Sequence, residues 1–259
     1  MVESVQAENG VPLVKKVRKR DGRLVAFDQE KIVAAIFKAA RAVGGREKRS
    51  ARKLSEKVVE KLEKKFGAEK IPTIEDVQDA VEEVLVEEGH AKTAKAYILY
   101  RRQRAELREE KKMVLEKDVV DEVDKQFDLN ALRVLKSRYL KKDGSGRLVE
   151  SPKQLFTRVA VHVVLPELLY DERVFDKAGG QEKRVVEAFN QRSYAGKFSI
   201  GFFELNEFHL EALKRTFDRM AGEGTMRVGW KEFLKMLEDK EFDSHETRIR
   251  EFYELMVSK

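Results

Sequence analysis

The chain has 259 residues, 42% apolar and 39% charged, with 53 basic against 47 acidic side chains and a formal charge of +6. That length suits one large or two smaller domains, and a charge density well above the roughly 25% of an average protein describes a surface laced with ion pairs, as in proteins of thermophiles. Cysteine is absent, which excludes disulfides, thiolate zinc sites, cysteine nucleophiles and thiyl radicals and favours a cytoplasmic setting.

Residues 1–12 read as a flexible tail. Val14, Val17, Leu24, Val25 and Phe27 then flank Asp21-Gly22. An Asp-Gly pair between extended runs predicts a hairpin with a type I′ turn. Asp28 is placed to cap a helix whose apolar positions are Ile32, Ala35, Ile36, Ala39, Ala40 and Val43, with Gly44-Gly45 as its stop. A second helix is predicted over 50–66, with Leu54, Val58, Leu62 and Phe66 on one stripe. Thr73 caps a third, which buries Val77, Ala80, Val81, Val84 and Leu85 and closes at Gly89; a fourth starts near Ala91. The pattern loosens over 113–125, so the domains are placed at 13–112 and 113–259.

The second part reads as helical. Leu129, Leu132, Leu135 and Tyr139 share one predicted face. Ser151-Pro152 is a cap followed by proline at the first helical position, starting a helix to about Tyr170. Further helices are predicted over 205–220, 230–237 and 244–257, the last with Ile249, Phe252, Tyr253 and Met256 at helical spacing. The expected fold class is therefore α+β, mainly helical: a small β-hairpin with four helices, then a helical domain.

One cluster has chemistry that suits a polyphosphate. Lys19, Arg20 and Lys31 bring two ammonium groups and a guanidinium fork towards a helix N-terminus, whose free amides and dipole favour anions. On residues alone, a solvated basic hairpin fits the same pattern. Arg101 and Arg102 read as surface charges, and Tyr97 and Tyr100 as core or boundary aromatics. His90, His162, His209 and His245 show no metal-ligand spacing and read as packing or capping residues. FDRMAGEGTMRVGWKEF has an EF-hand rhythm, but Ala221 and Met226 stand where calcium needs a carboxylate and a glycine, so it reads as a helix pair. The longest apolar stretch, 159–169, contains His162, Pro166 and Glu167 and is too short to span a membrane. Charges alternate in sign along the helices, so no specific DNA binding is expected.

VRKRDGRLVAFDQEKIVAAIFKA, then IPTIEDVQDAVEEVL, then AKAYILYRRQR, in this order and spacing, resemble the ATP-cone, the allosteric nucleotide-binding domain at the N-terminus of many ribonucleotide reductases; the likeness covers about residues 14–110. It implies that Lys19, Arg20 and Lys31 hold the phosphates of ATP or dATP. It further implies that Val25, Phe27, Asp28 and Thr73 line the nucleotide and that Arg102 approaches from the last helix. Val77 departs from the pattern, since some relatives carry a polar residue there. FDLNALRVLKSRYLKKDGSGRLVESPKQLFTRVA resembles the helical lead-in to the catalytic domain of adenosylcobalamin-dependent (class II) enzymes of that family, and IREFYELMVSK the segment before their catalytic barrel.

The resemblance implies a regulatory part of a ribonucleoside-diphosphate reductase, serving deoxyribonucleotide synthesis and so DNA replication. It would be non-catalytic alone, since the family's chemistry needs cysteines. Its implied partners are a nucleotide effector and a catalytic barrel, supplied by a further C-terminal part or a separate chain, with adenosylcobalamin bound only there. Apolar positions such as Phe252 and Met256 would be left partly uncovered without the barrel, which makes a homo-oligomer a second expectation. ATP-cones also occur in repressors of reductase genes, but those carry a four-cysteine zinc ribbon; a stand-alone nucleotide-sensing interaction protein is the other alternative.

Overall fold

The computed structural model describes residues 14–67, 70–183 and 188–258, and the tail expected over 1–12 lies outside them. The chain divides into two compact units, one reaching Met113 and also holding Lys117–Val120, the other made of Val114–Glu116 and the residues from Asp121 onward.

In the first unit, strands β1 (Lys16–Arg18) and β2 (Leu24–Ala26) pair antiparallel, with Val17 opposite Val25. Four helices follow: α1 (Gln29–Ala42), α2 (Lys48–Phe66), α3 (Ile74–Glu87) and α4 (Ala91–Leu115). Each of the first three has an apolar stripe, and the stripes close one core of Ile32, Val33, Ile36, Val58, Leu62, Val81 and Leu85, into which α4 sends Ala94 and Tyr97. Of the predicted core positions, Val43 instead forms the C-cap of α1 and is 42% exposed. The other outer edge of β1 is also occupied: Arg18 N–H donates to the Pro72 carbonyl at 2.9 Å, and Arg18 bridges to Thr73 in parallel sense. The hairpin therefore lies beside the start of α3 as well as leading into α1.

The hairpin turn differs from the type I′ expectation. That type needs positive φ at both central residues, and only Gly22 has it, at +82°. Gly22 N–H donates to the Lys19 carbonyl at 3.0 Å, and Lys19 N–H donates to the Arg23 carbonyl at 2.9 Å. The loop thus holds three residues, Arg20–Gly22, with a glycine bulge at its end. Asp21 is the physical reason. Its carboxylate accepts the Arg23 amide at 3.1 Å and Arg23 Nε at 2.8 Å, local bonds that satisfy an ordinary right-handed turn.

The second unit contains α5 (Glu122–Gln126), α6 (Leu129–Arg138), α7 (Pro152–Leu169), a two-residue ladder of β3 (Ser199–Ile200) with β4 (Phe203–Glu204), then α8 (Glu207–Gly222), α9 (Trp230–Glu238) and α10 (Glu246–Val257). Ser151 caps α7 in a reciprocal box with Gln154, with Pro152 at the first turn as expected. Tyr139 does not share the buried face of α6. It is the C-cap and 56% exposed, and the next residue, Leu140, takes the core place beside Leu132 and Leu155. The main core gathers α7, α8, α9 and Ile249 of α10, with Phe252, Tyr253 and Met256 half-buried against it. The segment with EF-hand rhythm turns Met226 into this core, where it bridges to Phe175.

The sole tryptophan, Trp230, sits at the centre of that core and is 4% exposed. It meets Phe189 and Phe217 edge-on, each at 5.1 Å, and stacks on Phe233 at 5.5 Å. Its indole N–H is buried and, among the described residues, has no hydrogen-bond acceptor.

Candidate functional site

Two helix N-termini and one basic loop converge in the first unit. Asp28 caps α1, its carboxylate accepting Glu30 N–H at 3.1 Å. Thr73 caps α3 more completely: its hydroxyl accepts Asp76 N–H at 3.1 Å and donates to Asp76 Oδ2 at 2.6 Å, and that carboxylate accepts Thr73 N–H at 2.9 Å. The Thr73 hydroxyl and amide hold the Asp76 carboxyl below its usual range. These caps fix where the positive ends of both helices point.

The hairpin supplies cations beside them. Strand alternation puts Val17 and Lys19 on one face with Val25 and Phe27. Val17 is buried, Val25 and Phe27 are half-buried, and Phe27 N–H ties the hairpin base to the Lys15 carbonyl at 3.0 Å. Arg20, at the loop, reaches across to α3, its Nε 2.6 Å from Glu75 Oε1 and its Nη2 3.2 Å from Gln78 Oε1. Lys31 stands in the first turn of α1 with its ammonium 3.6 Å from Asp28 and 78% exposed. Lys19, Arg20, Val25, Phe27, Asp28, Lys31 and Thr73 thus belong to the hairpin and the two helix starts around it.

Arg102 is placed differently. It is exposed, and its Nε pairs along its own helix with Glu106 at 2.9 Å. The neighbouring stripe of α4 faces α3. Arg101 lies 2.6 Å from Asp79 and 2.8 Å from Glu82, and Tyr97, one turn earlier, is pushed up to about 12 by burial. Continuing that stripe, Arg108 falls within electrostatic reach of Arg20 and Glu75. Burial first, and then the like charge of Arg20, lowers its guanidinium pKa. Among the described residues its hydrogen bond is to the Arg104 carbonyl, at 3.1 Å, and it forms no ion pair. Arg108 and Glu75 are the residues that sequence reading missed. The available signal was spacing: positions 97, 101, 104 and 108 share one helical face.

A guanidinium already held by a carboxylate, a second without an acid, an ammonium on the hairpin and another in the first turn of capped α1 can bind an extended polyanion. The neutral or apolar side chains on the same hairpin face can pack against a less polar body. Comparison with known proteins agrees with this architecture. An ATP cone domain matches residues 15–106, and the ribonucleotide reductase all-alpha domain matches residues 125–259, just over half of the chain. The chain belongs to the ribonucleotide reductase family. The chain is 37% identical over 233 residues to a vitamin B12-dependent ribonucleoside-diphosphate reductase of Thermoplasma acidophilum, a match covering 88% of the chain and 27% of the relative. The enzyme of the same description from Mycobacterium tuberculosis is 37% identical over 180 residues, covering 70% and 24%. A ribonucleoside-diphosphate reductase subunit alpha of Chlamydia muridarum is 33% identical over 152 residues, covering 56% and 13%. The chain therefore spans about a quarter of the length of the B12-dependent relatives it matches. None of its described helices is long and apolar enough to cross a membrane.

Proposed function

We propose that the first unit binds ATP or dATP and acts as the allosteric regulatory portion of a ribonucleoside-diphosphate reductase. The observation that carries this reading is the basic loop of Lys19 and Arg20 held between the capped starts of α1 and α3, inside the region matched by the ATP cone. In this reading Lys19, Arg20 and Lys31 take the phosphates, and Val25, Phe27, Asp28 and Thr73 line the nucleotide. Arg102 joins by exchanging Glu106 for a phosphate oxygen. Catalysis belongs to a barrel carried by the rest of the enzyme, and the names of the relatives support adenosylcobalamin as the cofactor of that part. The present chain has no cysteine to carry the radical or reducing steps, so no step of that chemistry is assigned to its residues. A cytoplasmic setting and an origin at high temperature fit the same reading, the latter supported by the density of ion pairs.

Isothermal titration of the full chain with ATP and dATP is the test. A micromolar dissociation constant, about −8 kcal/mol, is expected, with Lys31→Ala weakening it by removing a phosphate partner at the helix start. Absence of heat with both nucleotides at millimolar concentration would overturn the proposal. Incubation of the chain alone with adenosylcobalamin, a dithiol and a ribonucleotide is expected to yield no deoxyribonucleotide.

A further inference from the structure

A second site lies wholly within the second unit. Between α7 and the first turn of α8 is a cleft of about 270 Å³, walled by Val159, Val163 and Phe208 and edged by Lys141 and His162. Val163 and Phe208 are 48% and 47% exposed, so the walls present apolar surface to whatever enters. The Lys141 ammonium stands 3.6 Å above the Phe208 ring. Among the described residues no carboxylate pairs with it. The nearby acids are already taken: Glu150 accepts Arg158 Nε at 2.7 Å and Nη2 at 3.1 Å, and Glu207 pairs with Arg192 at 3.3 Å. Burial, followed by the Arg158 charge, pulls the Lys141 pKa down, which is the signature of a cation short of compensation. A ring face offsets only part of a desolvated ammonium's cost.

The floor of the cleft is neutral and fixed. His209 is 2% exposed, and its Nδ1 accepts Asn206 N–H at 3.2 Å. That leaves Nε2–H to donate to the Arg158 carbonyl at 3.2 Å. With both nitrogens engaged, His209 has no lone pair for a metal, and its closeness to His162, 6.1 Å between ring centroids, does not make a metal pair.

We infer that this cleft binds a small organic anion, a carboxylate or phosphate carried on a compact apolar body, with the anionic group on Lys141 and the body between Val159, Val163 and Phe208. The volume suits a single ring or a short aliphatic chain, near the lower end of small-molecule sites. Apolar walls plus one cation not neutralised by a carboxylate, since the Arg158 that also lines the cleft is held by Glu150, predict that anion and body are both needed.

The experiment titrates the full chain with phenyl phosphate, benzoate and inorganic phosphate, read by NMR shifts of the histidine ring protons. Phenyl phosphate and benzoate are expected to move His162 signals and to bind about tenfold more tightly than inorganic phosphate. Lys141→Met should weaken them about tenfold and leave ATP heats unchanged. Val163→Asp, a surface change that supplies an internal carboxylate to Lys141, should abolish binding with the fold intact by circular dichroism. The inference is overturned if neither organic probe binds at about 10 mM, if Lys141→Met and Val163→Asp bind as the parent does, or if binding is lost instead with Lys31→Ala, which would place the probe in the first unit.

Discussion

The contact between Arg20 and Glu75 sets up a competition that can be measured. The guanidinium spends its Nε–H on Glu75 at 2.6 Å, and a bound polyphosphate would have to take that group over. The two side chains are 39% and 47% exposed, and pairs so exposed contribute roughly 0.2–1 kcal/mol. The carboxylate also repels an incoming phosphate; one unit charge about 6 Å away in water costs about 0.7 kcal/mol. Glu75→Gln removes both effects and keeps the shape, so ATP should bind tighter by about 1 to 1.7 kcal/mol, roughly five- to eighteenfold. The assay is titration calorimetry at low and high salt, because the gain should shrink as ions screen the repulsion. Glu82→Gln is the control, removing an equal charge from the Arg101 cluster. Unchanged or weaker binding by Glu75→Gln would refute the competition and make Glu75 a support that positions Arg20 for the ligand.

Three further outcomes follow from the packing. His209 is driven by burial to about 4 from 6.5, so the unfolded chain binds the extra proton first; stability present above pH 6.5 is lost as pH falls towards 4, by at most about 3 kcal/mol. Urea melts from pH 7.5 to 4 should show that slope, and His209→Gln, which keeps a donor to Arg158 but cannot titrate, should flatten it; parallel slopes would remove His209 as the cause. Thr73→Ala deletes the reciprocal cap of α3 and should cost about 0.5–2 kcal/mol, read as a lowered thermal midpoint that ATP only partly restores. Phe233→Ala, at a fully buried site, should cost about 3–5 kcal/mol and broaden or abolish unfolding of the second unit by calorimetry.

The helices of the first unit were legible because local signals agree there: Asp28 and Thr73 announce starts, one-sided apolar stripes give the faces, and glycines mark the ends. The hairpin was legible as a hairpin but not in its turn, since Asp21 satisfies its neighbour's amide instead of adopting the left-handed conformation that its pairing with glycine suggested. Tyr139 was misplaced because helical spacing was extended one residue past Arg138, where the chain turns and Leu140 enters the core. For the candidate site, the placing of Lys19, Arg20, Lys31 and Thr73 at a hairpin and two helix starts was legible through an ordered motif. Arg108 shares a legible helical face with Tyr97 and Arg101, but its nearness to Arg20, and the grip of Glu75 on Arg20, depend on which helices meet the hairpin, a tertiary fact. The two-residue strands at Ser199 and Phe203 are too short to leave an alternating pattern, and the donation from Gly201 N–H to Asp243, 42 positions away, that braces them is invisible to any window.

The lone indole of Trp230 divides the molecule optically. Its ring is enclosed by phenylalanines of the second unit, and the first unit has no tryptophan at all. Intrinsic emission excited at the red edge therefore reports the second unit alone, whereas far-ultraviolet dichroism sums the helices of both. A denaturation followed by the two signals in one cuvette assigns each transition to its unit without cutting the chain. If a nucleotide shifts the dichroic transition and leaves the emission transition where it was, the stabilisation stays in the first unit; if both shift together, the two units unfold as one thermodynamic body. The same indole makes the second unit its own spectator, so an effector's influence across the chain can be followed with no added label.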